Sequence, residues 1–438
     1  MMLERFFLTV LMLTGALAAF AQEPLPLTDE DYEKVSAAKA TKQGFSFVPL
    51  PIMGYNSDLG FQFGACADIH QYGREPSLFP DFLYHIHFEG SYYTKGQVLL
   101  HGQYDSSHLI PGVDFVASLT WQKDPLFQFY GLNGFVSPYD PEIDRRGGNA
   151  YYCFNRNMIR FLTSMQGSIG GNWGWMAGLN YRYVESGILD FQGYDSSNTL
   201  FGRYLDAGVI DASELKGYTA DLIAGVKYDT RDFDPYPTKG IWAEAYLNGS
   251  PDFTASGHSF LKASLRWRHY ITPGPDWLTL AYHLGYQTTL LGNTPFYMAH
   301  NISTIRIRQT CTEGLGGVNT VRGVMMNRII GDAYTWGNFE VRMRLFTFHV
   351  LGMELGIAAN PFFDVGMITK PYRLEQMASL SSMDVSALRE LAVKPHASAG
   401  AGLKFSIDKN YILSLEWGVP FDRQDGRSSL YFTSDFVF

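Results

Sequence analysis

The chain has 438 residues, of which 46% are hydrophobic, 15% aromatic and only 18% charged. Intrinsically disordered proteins are poor in aromatic residues and rich in charge, so this composition excludes disorder. The formal net charge of −9 and the absence of a basic cluster argue against a nucleic-acid partner. Beyond residue 22 no apolar run reaches the roughly 18 residues that a transmembrane helix needs, which excludes a helical transporter.

The first residues have the layout of a cleaved secretory signal. Arg5 precedes an apolar stretch from Phe6 to Leu13, and Ala19-Phe20-Ala21 stands just before Gln22. The alternative is a buried N-terminal helix. We expect three parts in the chain: a signal peptide over 1–21, a short segment over 22–43 and one large unit over 44–438.

From residue 44 onward the dominant pattern has a period of two. Between residues 58 and 71, apolar side chains such as Phe61 and Phe63 alternate with polar ones such as Gln62, and the pattern recurs at 218–229 and 411–419. These stretches exceed the 5 to 6 residues or so that are usual for strands of soluble sandwiches. Their polar faces carry full charges and their apolar faces end in aromatic residues. This combination favours an all-β transmembrane barrel with apolar residues facing lipid.

Counting the alternating segments predicts sixteen antiparallel strands, with fourteen as the alternative count. The predicted strands are 44–54, 58–71, 82–93, 96–106, 112–122, 151–171, 173–187, 217–230, 238–249, 256–271, 277–290, 333–347, 350–368, 397–407, 410–420 and 429–438. If the chain enters from the periplasm, its four long connections all lie on the extracellular side. They are 123–150, 188–216, 291–332 and 369–396.

Six sequence motifs in the barrel point to a family. They are F-Y-G-L-N-G at 129–134, Y-D-T-R-D-F-D-P-Y-P-T-K-G at 228–240, G-G-V-N-T-V-R-G-V at 316–324, G-N-F-E-V-R at 337–342, F-F-D-V-G at 362–366 and A-G-A-G-L-K-F at 399–405. In this order, and with a last strand ending in Phe438, they resemble the BamA/TamA family of the bacterial surface antigen superfamily. The resemblance implies an outer-membrane β-barrel over 44–438, with a long extracellular loop folded inward, in the bacterial outer membrane. Segment 22–43 is then a short periplasmic segment.

The inward loop centres on Val321, Arg322 and Gly323. Alternation places Glu340 and Asp364 of neighbouring strands on the inner face of the barrel, where a guanidinium can bind carboxylates bidentately. The resemblance assigns these same two carboxylates as the partners that tether the loop arginine. The alternative is that Arg322 is a solvated loop residue. Where the family has an aromatic residue after the second glycine of the signature, this chain has Val324.

The junction between the first and last strands is predicted to be weak. Pro49 and Pro51 lack backbone N–H groups, so two bonds of the ladder are missing there. The resemblance implies a lateral seam in which clients pair with strand edges. Its predicted residues are Pro49, Pro51, Phe432, Phe436 and Phe438, and an ordinary strand with prolines near its start is the alternative.

The sequence offers no catalytic motif. G-x-S-x-G, H-E-x-x-H and Walker sequences are absent, so we predict that the protein is not an enzyme. Cys66, Cys153 and Cys311 are widely spaced, with no C-x-x-C pair, and imply neither a disulfide framework nor a zinc site.

Several histidines share the inner face of the early strands. His85 and His87 lie there with Asp68 and His70 on one neighbouring strand and His101 on the other. Such a group can bind a metal, but lumenal histidines bonded to water and carboxylates are commoner. We therefore predict neither a metal nor another cofactor.

The resemblance implies a function in assisting insertion or translocation of proteins or lipids at the outer membrane. The partners it implies are outer-membrane lipids, unfolded outer-membrane protein clients and subunits of an assembly complex. Family members carry POTRA domains, for which segment 22–43 is too short, so we expect a short form lacking them. A passive channel or structural surface barrel is the competing class, and an outer-membrane hydrolase has no motif in its favour.

Overall fold

The computed structural model describes residues 44–73, 82–146, 150–189, 198–233, 236–254, 257–303, 314–350, 353–407, 411–434 and 438. The predicted signal peptide, the segment 22–43, Cys311 and Phe436 lie outside these ranges.

Sixteen strands form one closed barrel. They are β1 (Phe45–Asn56), β2 (Gly60–Gln71), β3 (Tyr84–Tyr93), β4 (Val98–Ile110), β5 (Val113–Gln128), β6 (Cys153–Gly170), β7 (Trp173–Gly187), β8 (Lys216–Asp229), β9 (Gly240–Ser250), β10 (Phe260–Ile271), β11 (Leu278–Gly292), β12 (Ala333–Val350), β13 (Met353–Lys370), β14 (His396–Ile407), β15 (Tyr411–Pro420) and β16 (Ser429–Ser434). Each strand pairs antiparallel with its sequence neighbours, and β1 pairs with β16. The predicted count of sixteen is confirmed, and the count of fourteen is wrong.

Alternation decides which side of each strand meets lipid. In β12, Phe339 is 42% exposed on the outer face, while the next residue, Glu340, is fully buried on the inner face. The outer faces of the other strands carry exposed Phe, Leu, Trp and Tyr side chains in the same way. This inside-out arrangement is that of a transmembrane barrel.

The connections differ sharply in length between the two ends of the barrel. Those after β5, β7, β11 and β13 are long, and all four lie at one end, as predicted. They carry the helices α1 (Pro141–Arg146), α2 (Leu200–Asp206), α3 (Phe296–Ala299), α4 (Leu374–Ala378) and α5 (Val385–Ala392), with 3-10 turns at Gly134–Val136 and Ala212–Glu214. Among the described residues, no helix has the length and apolar character needed to cross a membrane.

The long connections pack together into what we call the loop cap. Its buried residues come from four connections and the adjoining strand ends: Phe127, Phe129, Leu132, Val136, Phe154, Phe201, Tyr204, Val209, Ile210, Phe296, Ala299, Ile330, Tyr372, Leu374, Met377, Leu388 and Ala392. Two hydrogen bonds join Asn133 to Tyr372 across the cap, from Asn133 Nδ2 to Tyr372 O at 2.7 Å and from Tyr372 N to Asn133 Oδ1 at 2.6 Å. The cap therefore forms an apolar core at the end of the barrel that carries the long connections.

Candidate functional site

Arg322, in the long connection between β11 and β12, is fully buried against Asp364 of β13. Its Nε and Nη2 atoms donate to the two carboxylate oxygens of Asp364 at 2.8 and 2.9 Å, and its backbone N donates to Oδ2 at 3.0 Å. A bidentate pair of this kind fixes the orientation of the guanidinium as well as its position. Side chain and backbone of Arg322 are thus held by one carboxylate.

Two further carboxylates approach the same guanidinium. Arg322 Nη1 donates to Glu340 Oε1 at 2.5 Å and to Glu416 Oε1, on β15, at 2.8 Å. The neighbouring cations are Arg342, 2.8 Å from Glu340, and Lys404, 2.9 Å from Glu416. Three cations therefore balance three carboxylates in a buried network. Such balance is needed because an unpaired buried charge costs several kcal/mol.

Aromatic and backbone contacts complete the surroundings of Arg322. The ring of Phe362 lies under the guanidinium, with 3.7 Å between its centroid and Cζ. Gly323 has a φ of +89°, and a Cβ there would stand 2.7 Å from the backbone C of Gly418. Glycine is required because both its conformation and this close approach exclude a side chain. Val321 and Val324 are buried in an apolar cluster with Trp336.

The junction between β1 and β16 is short. Among the described residues, the two strands pair at Tyr55 with Phe432 and at Asn56 with Tyr431, whereas β1 pairs with β2 from Phe45 to Asn56. Ser57 prolongs the junction, with its backbone N donating to Leu430 O at 3.1 Å. Over the described residues, most of the β1 edge therefore lacks a strand partner on the β16 side.

Both predicted seam prolines lie on this edge, where they pair with β2 at Ala67 and Ala65. Ser57 N points toward β16, while Gly44 O bonds β2 through Tyr72 N. Because hydrogen bonding alternates along an antiparallel strand, odd-numbered β1 positions direct their N–H groups toward the seam. Pro49 and Pro51 therefore remove two donors from the unpartnered edge, a position in which sheets tolerate proline.

A family model describing the Omp85 superfamily domain matches residues 86–436 of this chain. The chain belongs to the Omp85 superfamily.

Solved structures of Omp85-type proteins share the fold. BamA from Haemophilus ducreyi lacking POTRA domains 1–3 is 14% identical, with a TM-score of 0.55 over 90% of this chain and 70% of that one. CdiB from Escherichia coli is 11% identical, with a TM-score of 0.54 over 90% of this chain and 63% of that one. No curated protein sequence gave a significant match. The predicted resemblance to the BamA/TamA family and the sixteen-stranded antiparallel barrel are confirmed, and this Omp85 barrel resides in the bacterial outer membrane.

The long connection of this Omp85 barrel contains a second buried arginine, Arg328, that sequence reasoning missed. Its Nη1 donates to the carbonyl oxygens of Gly134 and Ser137 at 2.9 and 3.0 Å, in the connection between β5 and β6. Its Nε lies 3.3 Å from Asp425 Oδ1, which is 2.7 Å from His396 Nδ1. Arg328 therefore joins three connections near the loop cap.

Glu416 was also missed as a partner of Arg322. Alternation along β15 places it on the inner face with Ser414, but that pattern does not say which loop residue it meets. Asn360 of β13 also donates to it, with 3.0 Å between Nδ2 and Oε1. The sequence could have indicated this role only through the inward position of Glu416 on β15, the strand next to β16.

The two described seam phenylalanines lie in different places. Phe432 pairs with Tyr55 at the junction. Phe438 does not lie at the predicted seam: its backbone O accepts a bond from Arg342 Nη2 at 2.9 Å, and its ring centre is 5.5 Å from that of His283. The inward-facing arginine of β12 provides both a donor for the carbonyl and a cation 5.1 Å from the ring centre. Phe438 therefore contacts β11 and β12 and is not brought to the junction with β1, the position predicted for it from the sequence.

The turn between β1 and β2 holds a buried carboxyl group, Asp58. Its Oδ1 accepts from the backbone N of Met326 at 3.2 Å, while Oδ2 is buried without a hydrogen-bond partner among the described residues. Lys95 Nζ donates to the backbone O of Asp58 at 2.8 Å. Burial raises the pKa of Asp58 to about 6, opposed by the Met326 bond and by Lys95. The connection that carries Arg322 therefore also contacts the turn that follows the first strand.

Proposed function

We propose that this Omp85 barrel assists the insertion or translocation of proteins or lipids at the outer membrane by lateral opening between β1 and β16. The unpartnered edge of β1 exposes backbone groups that can pair with an incoming strand. Among the described residues, strand pairing at the junction covers two positions and is prolonged by the bonds of Ser57 to Leu430, so the edges can separate at small cost in hydrogen bonds. This short junction is the observation that carries the proposal.

The Arg322 connection touches both sides of the proposed gate. Gly323 N donates to Tyr431 Oη of β16 at 3.1 Å, and Met326 N donates to Asp58 at 3.2 Å beside β1. The ionic network of Arg322 holds this connection to β12, β13 and β15, which do not take part in opening. We propose that Val321, Arg322, Gly323, Glu340 and Asp364 hold the connection in place while the two edges move.

The loop cap argues against the alternative function of a passive channel. Its buried apolar side chains come from four connections at one end of the barrel. Sixteen strands enclose a water-filled lumen only if connections leave it open. We propose that the cap restricts conduction and that the proteins or lipids handled by the barrel leave sideways. In this role the proposed partners are outer-membrane lipids, unfolded barrel clients and subunits of an assembly complex.

The test is reconstitution in liposomes with a chaperone-delivered unfolded barrel client. The native cysteines are first changed to Ser, and Tyr55→Cys with Phe432→Cys then allows a disulfide across the junction, since directly paired residues lie within disulfide reach. We expect the reduced protein to accelerate client folding and the oxidised protein to lose that effect.

A matched control places the disulfide between two strands that do not open. Ala224 of β8 and Leu247 of β9 are direct partners and both face lipid, so Ala224→Cys with Leu247→Cys reproduces the chemistry away from the seam. Its oxidised form is expected to remain active. Full activity of the oxidised seam variant would exclude lateral opening, and steady ion conductance without client folding would make the protein a pore.

A further inference from the structure

A cluster of histidine and aspartate side chains lies on the inner wall of β2 and β3, away from Arg322 and the loop cap. One ligand atom from each of Asp68, His85 and His87 lies within 4.8 Å of the other two. We propose that these three residues form a binding site for a divalent transition-metal ion of the Zn²⁺ class. The proposal is independent of lateral opening.

Strand register brings these residues together. Asp68 is paired directly with His87, and His70 with His85. Residues two apart on a strand face the same side, so both histidines and Asp68 point to the lumen. Because paired backbone fixes all three positions, the site needs no loop to order it.

The ligand atoms already converge on one oxygen. Asp68 Oδ1 lies 2.7 Å from His85 Nε2 and 2.9 Å from His87 Nδ1. Ligands at about 2.0 to 2.1 Å from a tetrahedral Zn²⁺ are roughly 3.3 Å apart. The two Asp–His distances are about half an ångström shorter than this spacing, and all three ligand atoms lie within 4.8 Å of one another. Side-chain rotations that part Asp68 from the histidines and bring the two ring nitrogens together would therefore replace two hydrogen bonds with metal bonds.

Each histidine has a carboxylate near its other ring nitrogen, and the one beside His85 is within hydrogen-bond distance. His85 Nδ1 is 3.0 Å from Asp105 Oδ2 on β4, and His87 Nε2 is 4.0 Å from Glu89 Oε2. Metal-binding histidines usually donate their second N–H to such an acceptor, which fixes the tautomer and strengthens the ligand. His70 also stacks on His85, with 4.2 Å between ring centres, which restrains the ring. This outer arrangement distinguishes the cluster from a chance group of lumenal histidines.

Both the negative charge around the cluster and its exposure to solvent favour binding of a cation. Asp68, Asp105 and Glu89 bring three carboxylates, and within the described part of the chain their ion pairs are with histidines and not with Lys or Arg. The side chains of His85 and His87 are 16% and 24% exposed, so solvent can supply the remaining ligands. Two imidazoles with one carboxylate favour Zn²⁺, Co²⁺, Ni²⁺ or Cu²⁺ over Ca²⁺ and Mg²⁺, which prefer oxygen ligands.

The test measures Zn²⁺ binding to the full chain folded in detergent micelles and stripped with a chelator. We expect one Zn²⁺ per chain by equilibrium dialysis with elemental analysis, and a visible absorption band when Co²⁺ is added instead. His85→Gln or His87→Gln should weaken binding by at least about 100-fold, since each removes a ligand. Asp105→Asn should weaken it by about 10- to 100-fold through the orientation of His85.

The matched control is His349→Gln, because His349 also lies near a carboxylate, 4.0 Å from Glu354, but on β12. It should bind Zn²⁺ as the unmodified protein does. Wild-type stoichiometry and affinity in His85→Gln would overturn the site, as would failure of the unmodified protein to bind Zn²⁺ or give the Co²⁺ band. The Co²⁺ measurement keeps the proposal testable even if a histidine variant does not fold.

Discussion

Arg322 is the residue whose loss should affect the barrel most. Arg322→Ala leaves Asp364, Glu340 and Glu416 opposed only by Arg342 and Lys404, so one buried negative charge is uncompensated. Removing one partner of a buried ion pair typically costs about 3 to 5 kcal/mol. We expect the compact form seen in unboiled gels to be lost at a lower temperature than in the unmodified protein.

Two further variants serve as comparisons for Arg322→Ala. Arg322→Lys should restore stability only in part, because an ammonium cannot bind Asp364 with two parallel N–H bonds. Arg145→Ala removes an arginine whose side chain is 74% exposed and should leave the transition unchanged. Unaltered gel mobility of Arg322→Ala would contradict the tether.

Asp58 makes stability depend on pH. Its pKa is about 6 in the folded protein and close to 3.8 when unburied, so between these values the folded state holds the proton more tightly. Stability should therefore rise as the pH falls from 7 toward 4, and be lost as the pH rises through 6, by up to about 3 kcal/mol from this group. Thermal unfolding at pH 5 and pH 7 measures the effect.

Asp58→Asn is the matched variant, since an amide oxygen can still accept the Met326 N–H bond without carrying a charge. It should be more stable than the unmodified protein at pH 7, and its stability should increase less as the pH is lowered. An identical pH dependence in both proteins would show that Asp58 does not titrate in this range.

At the scale of elements, the connection between β11 and β12 depends on a close approach of two glycines. Gly323→Ala would place a Cβ 2.7 Å from Gly418 C at a φ of +89°. Strain and overlap together should cost about 2 to 4 kcal/mol. The expected result is a lower unfolding temperature and easier proteolysis within residues 314–332.

Gly112 offers the control for this prediction. It has a φ of +75° in the turn between β4 and β5, but a Cβ there would meet no atom within 4 Å. Gly112→Ala therefore carries the backbone strain alone, about 1 kcal/mol. Equal effects of the two substitutions would mean that the contact with β15 contributes nothing.

At the scale of the whole molecule, the seam should be the least protected part of the barrel. Over Phe45–Met53, the N–H groups of the odd-numbered β1 residues have no strand partner among the described residues. Strand β8, in contrast, is paired on both sides. Hydrogen exchange followed by mass spectrometry should show faster exchange over 45–54 than over 216–229. Equal protection of these two segments would contradict a weak seam.

Much of this architecture could be predicted because it rests on local patterns. Alternation identified the sixteen strands and the inward positions of Glu340 and Asp364, since a strand's two faces meet different solvents. The role of Glu416 could not be predicted, because it depends on how β12, β13 and β15 converge on one loop. The contacts of Arg328 could not be predicted either, because its partners include backbone carbonyl groups, which every residue has.

The bonds between Asn133 and Tyr372 join residues that are 239 positions apart. Contacts so distant in sequence form late, because the intervening chain must be ordered first. The aromatic side chains in the connections after β5 and β7 therefore stay exposed to water until the connection after β13 packs against them. The loop cap thus closes only when connections from both halves of the chain are present at the same end of the barrel.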